Sequence, residues 1–136
     1  MLLATILLIL VQAGLGMAVN LYVTIPAQHR GAHPSNFFSG SLSSVGWALA
    51  HGPVALAAHV SLGLALIALV TGVAVFSLRR RHGAASTWSS LGGLFVIGAA
   101  FNGASFLDFD NNISSLIMAV LAFAAIGCYS AALFAA

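Results

Sequence analysis

The chain has no lysine and no glutamate, only two aspartates, one cysteine and three prolines in 136 residues. Each scarcity excludes something. Charged residues are 4 % of the sequence, against roughly a quarter in an ordinary soluble domain, so a conventional water-exposed surface is ruled out. Without glutamate, a small exporter coupled to protons through a membrane-embedded Glu is disfavoured, and without lysine there is no Gly-rich phosphate loop closed by Lys. The lone Cys128 permits neither an intrachain disulfide nor a cysteine cluster for zinc or iron–sulfur, and in its apolar setting it reads as a small core residue. The net charge of +2 rests on four arginines, too few to neutralise the several phosphates a nucleic acid presents. No nucleic-acid partner is expected.

What is present is mostly apolar. Hydrophobic residues make up 61 % of the chain and the mean hydropathy is +1.09. Four apolar stretches near or above the ~18–20 residues that cross a hydrocarbon core use up nearly the whole length. The sequence therefore predicts an all-α membrane protein, a single bundle of four transmembrane helices spanning residues 1–136, with spans of about Leu2–Ile25, Val54–Leu78, Trp88–Phe106 and Ile113–Phe134. Pro26 disfavours helix in the residue before it, Arg79–Arg81 stop the second span, Asp108 and Asp110 stop the third, and Asn112 is a suitable cap for the fourth. The first stretch lacks the basic n-region and the small-residue cleavage site of a signal peptide, and its apolar run is too long for one. A retained first helix is expected.

Orientation follows from the arginines, three of which lie between spans two and three. Short loops rich in Lys and Arg stay cytoplasmic, so both termini are expected to be cytoplasmic too, in what reads as a prokaryotic cytoplasmic membrane. The connections Pro26–Pro53 and Leu107–Asn112 then face outward. Within the long outer connection, Ser41–His51 is compatible with a helix until Gly52-Pro53 interrupts it. Either a short helix lies on the outer surface, or the second helix starts near Ser44 and kinks at Pro53.

The polar residues inside the spans carry the functional reading. Asn20, His59, Asn102, Ser114 and Ser115 fall towards the outer half of the helices, whereas the inner half offers little besides Gln12, Ser61 and Thr71. A channel or transporter would need a polar path through both halves. An imidazole in hydrocarbon has to be neutral and hydrogen-bonded, or it has to coordinate something. His59 is followed one turn later by Gly63, a helix face cleared of bulk beside a possible axial ligand. That pattern suits a b-type haem, whose iron takes His or Met axially, with Met118, His51 or a second His59 as the other ligand and Asn20 and Asn102 nearby. A small electron-transfer or redox-accessory protein is the leading expectation, with a quinone as the alternative cofactor. A second constellation, His29, His33, His51, Asp108 and Asp110, has donors suited to zinc or copper at the outer face, although Gly31 and Pro34 place the two nearest histidines in a loop. Asp108 and Asp110 otherwise read as solvated markers of the membrane surface.

The competing reading is a non-enzymatic scaffold or accessory subunit of a larger membrane complex, in which the same polar groups tie helices together. Small residues at four-residue spacing, Gly14 and Ala18, Ala57, Ser61 and Ala65, Ala99 and Gly103, Gly127 and Ala131, let helices approach closely where lipid removes the hydrophobic drive. Beside the bilayer itself, a homo-oligomer is expected. No spacing in the chain requires an enzyme.

Overall fold

The computed structural model describes residues 1–80 and 83–136, apart from the Arg80 side chain. Among the described residues five helices follow one another: α1 (Leu2–Tyr22), α2 (Phe37–His51), α3 (Val54–Arg80), α4 (Gly83–Phe109) and α5 (Asn112–Phe134). Four of them, all but α2, are long and apolar enough to cross a membrane. The protein is a small helical membrane protein.

The long helices pack in a ring in chain order, α1 on α3, α3 on α4, α4 on α5, and α5 back on α1, with the broadest interface between α4 and α5. α1 and α4 are diagonal, as are α3 and α5. α2 lies on α3 and α4 at one end of the ring, here the α2 end; the opposite end carries Arg79. The middle and the Arg79 end of the core are filled by Ile9, Leu66, Val70, Val73, Val96, Ala125 and Tyr129. A second cluster, Val19, Ala48, Leu56 and Leu107, joins α2 to the three helices beneath it.

Several boundaries differ from the sequence expectation, each for a local reason. α1 stops at Tyr22, and Val23 is already extended (φ −111°, ψ 119°); Val23, Thr24 and Ile25 are β-branched and precede Pro26, which excludes Ile25 from helix. α3 runs on through the arginines to Arg80, because arginine is a good helix former whose long stem keeps its charge in water while the backbone continues. The basic connection expected at Arg79–Thr87 shrinks to residues 81–82, and the anchor assigned to Arg81 lies outside the described residues. α4 starts at Gly83 and passes through Asp108 to Phe109. α5 is capped by Asn111, whose Oδ1 accepts the Ile113 N–H at 2.9 Å, one residue earlier than expected.

The long connection is not a plain loop. Asn36 caps α2 by accepting the Ser39 N–H at 3.2 Å, so this helix begins four residues before the expected Ser41. Gly52 is extended (φ −70°, ψ 158°), which separates α2 from α3. The alternative of one continuous helix through Pro53 is not adopted.

Candidate functional site

Two places collect the polar side chains singled out in the sequence. The first is the α1–α3 interface. Gln12 stands one turn before Gly16 on α1, and His59 one turn before Gly63 on α3. Because the two helices run antiparallel, each polar side chain lies on the other helix's glycine. A Cβ on Gly16 would come within 2.9 Å of His59 Cε1, and one on Gly63 within 3.1 Å of Gln12 Nε2. The Gln12 amide nitrogen donates to the His59 carbonyl oxygen at 3.0 Å and contacts His59 Nε2 at 3.3 Å.

That second contact suits the tautomer in which Nε2 accepts, since an amide N–H can only donate. In that tautomer the proton sits on Nδ1. His59 Nδ1 and Gln12 Oε1 are both buried and have no hydrogen-bond partner among the described residues. The face cleared by Gly63 is thus filled from within the chain. Of the other residues grouped with His59, Met118 is on α5, the helix diagonal to α3, and sets its sulfur 3.2 Å from a Cβ position on Gly103 of α4. His51 is exposed at the end of α2. Asn102 donates back to the Gly98 carbonyl on its own helix at 3.0 Å, and Asn20 accepts from Ser115 of α5 at 3.3 Å. The structure joins His59 and Gly63 to Gln12, and the Asn102 amide bonds its own helix.

Gln12 is the residue that sequence reasoning misplaced. Its place in α1 predicts the opposite half of the bilayer from His59, yet the two lie level. The signal was available in the matching Gln12…Gly16 and His59…Gly63 spacings, which register only when the helices are paired antiparallel.

The second place is the α2 end. Asp108 is 1 % exposed, which overturns its reading as a solvated marker. Its carboxylate accepts the hydroxyls of Ser41 at 2.8 Å and Ser44 at 2.6 Å, and its backbone carbonyl accepts the His33 N–H at 2.8 Å. These bonds allow an aspartate inside a spanning helix, since a buried carboxylate needs such donors. Asp110 remains exposed, as expected.

Beside this knot is a small cavity of about 140 Å³ lined by His29, His33, Asp108 and Asp110 together with Ile25, Pro26, Ala27, Ala32, Leu107 and Phe109. Four of the five residues grouped for an outer metal site therefore share one pocket, and His51 does not. His29 Nδ1 donates to the Pro26 carbonyl at 2.9 Å, its ring leans on Trp47 with centroids 4.5 Å apart, and its Nε2 is buried with no partner. His33 and Asp110 are, among the described residues, the two non-glycine residues at positive φ, 49° and 48°. Among the described residues, however, no three His, Cys, Asp or Glu side chains come together as a group able to hold a metal ion.

Comparison with family models, with curated proteins and with solved structures gives no match. The functional reading rests on the geometry.

Proposed function

We propose that this protein is a non-catalytic accessory or scaffold subunit of the membrane, which presents a helix face to other transmembrane helices, a second copy of itself included. The observation that carries this is the outward face of α3. Ser61, Ala65, Ala68 and Gly72 are all exposed and recur at i, i+4, i+7 and i+11, one stripe of an α-helix. Small side chains in such a stripe let another backbone come close, which is how helices associate in lipid.

The glycines support the same reading. Gly16, Gly63, Gly92, Gly98 and Gly103 each seat a side chain of a neighbouring helix, whereas Gly14, Gly72 and Gly127 have nothing within 4 Å of a Cβ position. A glycine inside a helix costs about 1 kcal/mol relative to alanine, and at these three nothing within the chain offsets it. The polar groups fit too, because Gln12–His59 and Asn20–Ser115 tie α1 to α3 and α5. By the arginine rule the Arg79 end is cytoplasmic, as are both termini, and α2 lies on the outer side.

Native electrophoresis after mild solubilisation tests the reading. Wild type should migrate above the size of one chain, and Ala65→Leu or Ala68→Leu, which fill the stripe without touching the core, should shift it to the monomer. A wild-type monomer under the mildest detergent, with no crosslinked species in intact membranes, would overturn it.

A second reading, a redox cofactor at His59, has one observation in its favour: the buried Nδ1 that no group among the described residues satisfies. In the tautomer suited to Gln12 this nitrogen is a donor, which suits a quinone carbonyl directly. A b-type haem instead needs a free imidazole lone pair, and so would require Gln12 to release Nε2. The oxidised and dithionite-reduced absorption spectrum of the purified protein separates these outcomes. A Soret band that is lost in His59→Ala supports haem, quinone in a solvent extract supports the quinone, and neither in a folded sample removes the second reading.

A further inference from the structure

The helix α2 is built inside out for a helix in water. Its buried positions are small or hydroxylic, Gly40, Ser44 and Ala48, with Ser41 and Ser44 directed to Asp108. Its large apolar residues face outward, beside the exposed Ser39, Gly46, Ala50 and His51: Phe38 is 72 % exposed, Leu42 76 % and Leu49 41 %. At 100° per residue these three fall within about 40° of one another on the helix. A surface helix of a soluble protein shows the reverse arrangement.

Three further facts say what covers this stripe. First, all four serine hydroxyls of α2 are satisfied within the chain, Ser41 and Ser44 by Asp108, Ser39 by the Asn36 carbonyl at 3.2 Å and Ser43 by the Ser39 carbonyl at 2.9 Å, so none of them requires water. Second, no charged residue occurs between Arg30 and Arg79. Third, the aromatic end of α2 is continuous with the lipid-facing surface of a spanning helix. Phe37 and Phe38 stand 6.5 and 6.4 Å, centroid to centroid, from Phe101, which is half exposed and lies about 10 Å further into α4 than Asp108 at 1.5 Å per residue. Phe101 belongs to the membrane, and the two rings touching it reach the same depth.

We infer that α2 is a half-membrane helix, immersed in one leaflet with Phe38, Leu42 and Leu49 against lipid acyl chains. At 15 residues it extends about 22 Å, short of the ~30 Å hydrocarbon core, so it enters and leaves on the same side. Asp108 is its anchor. The carboxylate turns the serine face inward, and the apolar stripe is thereby committed to lipid, where aromatic and aliphatic side chains stabilise interfacial helices. The inference does not depend on the accessory-subunit reading, which concerns the outward face of α3.

Site-directed spin labelling of the full chain in phosphatidylcholine vesicles tests it. Labels at Phe38→Cys, Leu42→Cys and Leu49→Cys, one per variant in a Cys128→Ala background, should collide several-fold more often with oxygen, relative to a water-soluble nickel chelate, than a label at Ser35→Cys. Val120→Cys on α5, 57 % exposed, supplies the lipid-facing reference. Preferential collision with the nickel chelate along the stripe would place α2 in water, and shielding from both reagents would place a protein partner on it. Either result overturns the inference. The three positions are independent, so a variant that does not fold leaves the others to decide.

Discussion

At the scale of single residues, the glycines divide the molecule into sites that must stay empty and sites that need not. Tyr129 is fully buried, and its ring lies over Gly92, where a Cβ would meet Cε2 at 2.9 Å and Cδ2 at 3.0 Å. A ring closed in on all sides cannot swing away, so Gly92→Ala should destabilise the bundle by about 1–3 kcal/mol, the usual cost of overpacking. Gly46→Ala, where nothing lies within 4 Å, should be neutral or favourable by up to ~1 kcal/mol from helix propensity. Thermal unfolding of both variants in one detergent gives the comparison. Asp108 makes a parallel case. Asp108→Ala strands two hydroxyls and should cost about 1–3 kcal/mol for each, while Asp108→Asn keeps an acceptor for one of them and should lose less in the same assay. The sequence singled out His59 and Asp108, because polar groups in an apolar chain stand out on composition alone. Their partners Gln12, Ser41 and Ser44 were not assigned to them, since a partner is fixed by helix register and not by polarity.

At the scale of elements, the spans were legible because length and hydropathy are additive along the chain, and the four long helices fall where those sums are high. Their ends were less so. Expecting a stop at Asp108 assumes that a charge is solvated, and it fails here because α2 brings two hydroxyls to it. The existence of α2 was half visible in Ser41–His51, but its first turn depends on Asn36, whose side chain accepts the Ser39 N–H. Asn36→Ala removes that cap, worth about 1 kcal/mol. Amide exchange should then accelerate over the first turn, Phe37–Ser41, while α4 and α5 keep their protection. Loss of protection throughout the bundle would instead make α2 a prerequisite for the four long helices, which its position at one end of the ring argues against.

At the scale of the whole molecule, four crossings in a closed ring put the two chain ends on the same side of the membrane whichever way the bundle is inserted. The two possible orientations differ in where very few charges lie. Arg79 stands at one end and Asp110 at the other, and three of the four arginines lie at Arg79–Arg81. Positive residues are retained in the cytoplasm far more strongly than aspartate is driven outward, so the arginines alone are expected to set the direction. A C-terminal green fluorescent protein fusion should fluoresce, and a C-terminal alkaline phosphatase fusion should be inactive. Replacing Arg79, Arg80 and Arg81 by alanine leaves Arg30, in the connection before α2, as the strongest topogenic charge. That variant should insert in both directions or invert, and phosphatase activity should appear at the C-terminus. Unchanged reporters in the triple variant would show instead that the hydrophobicity of α1 sets the orientation, with the arginines only following it.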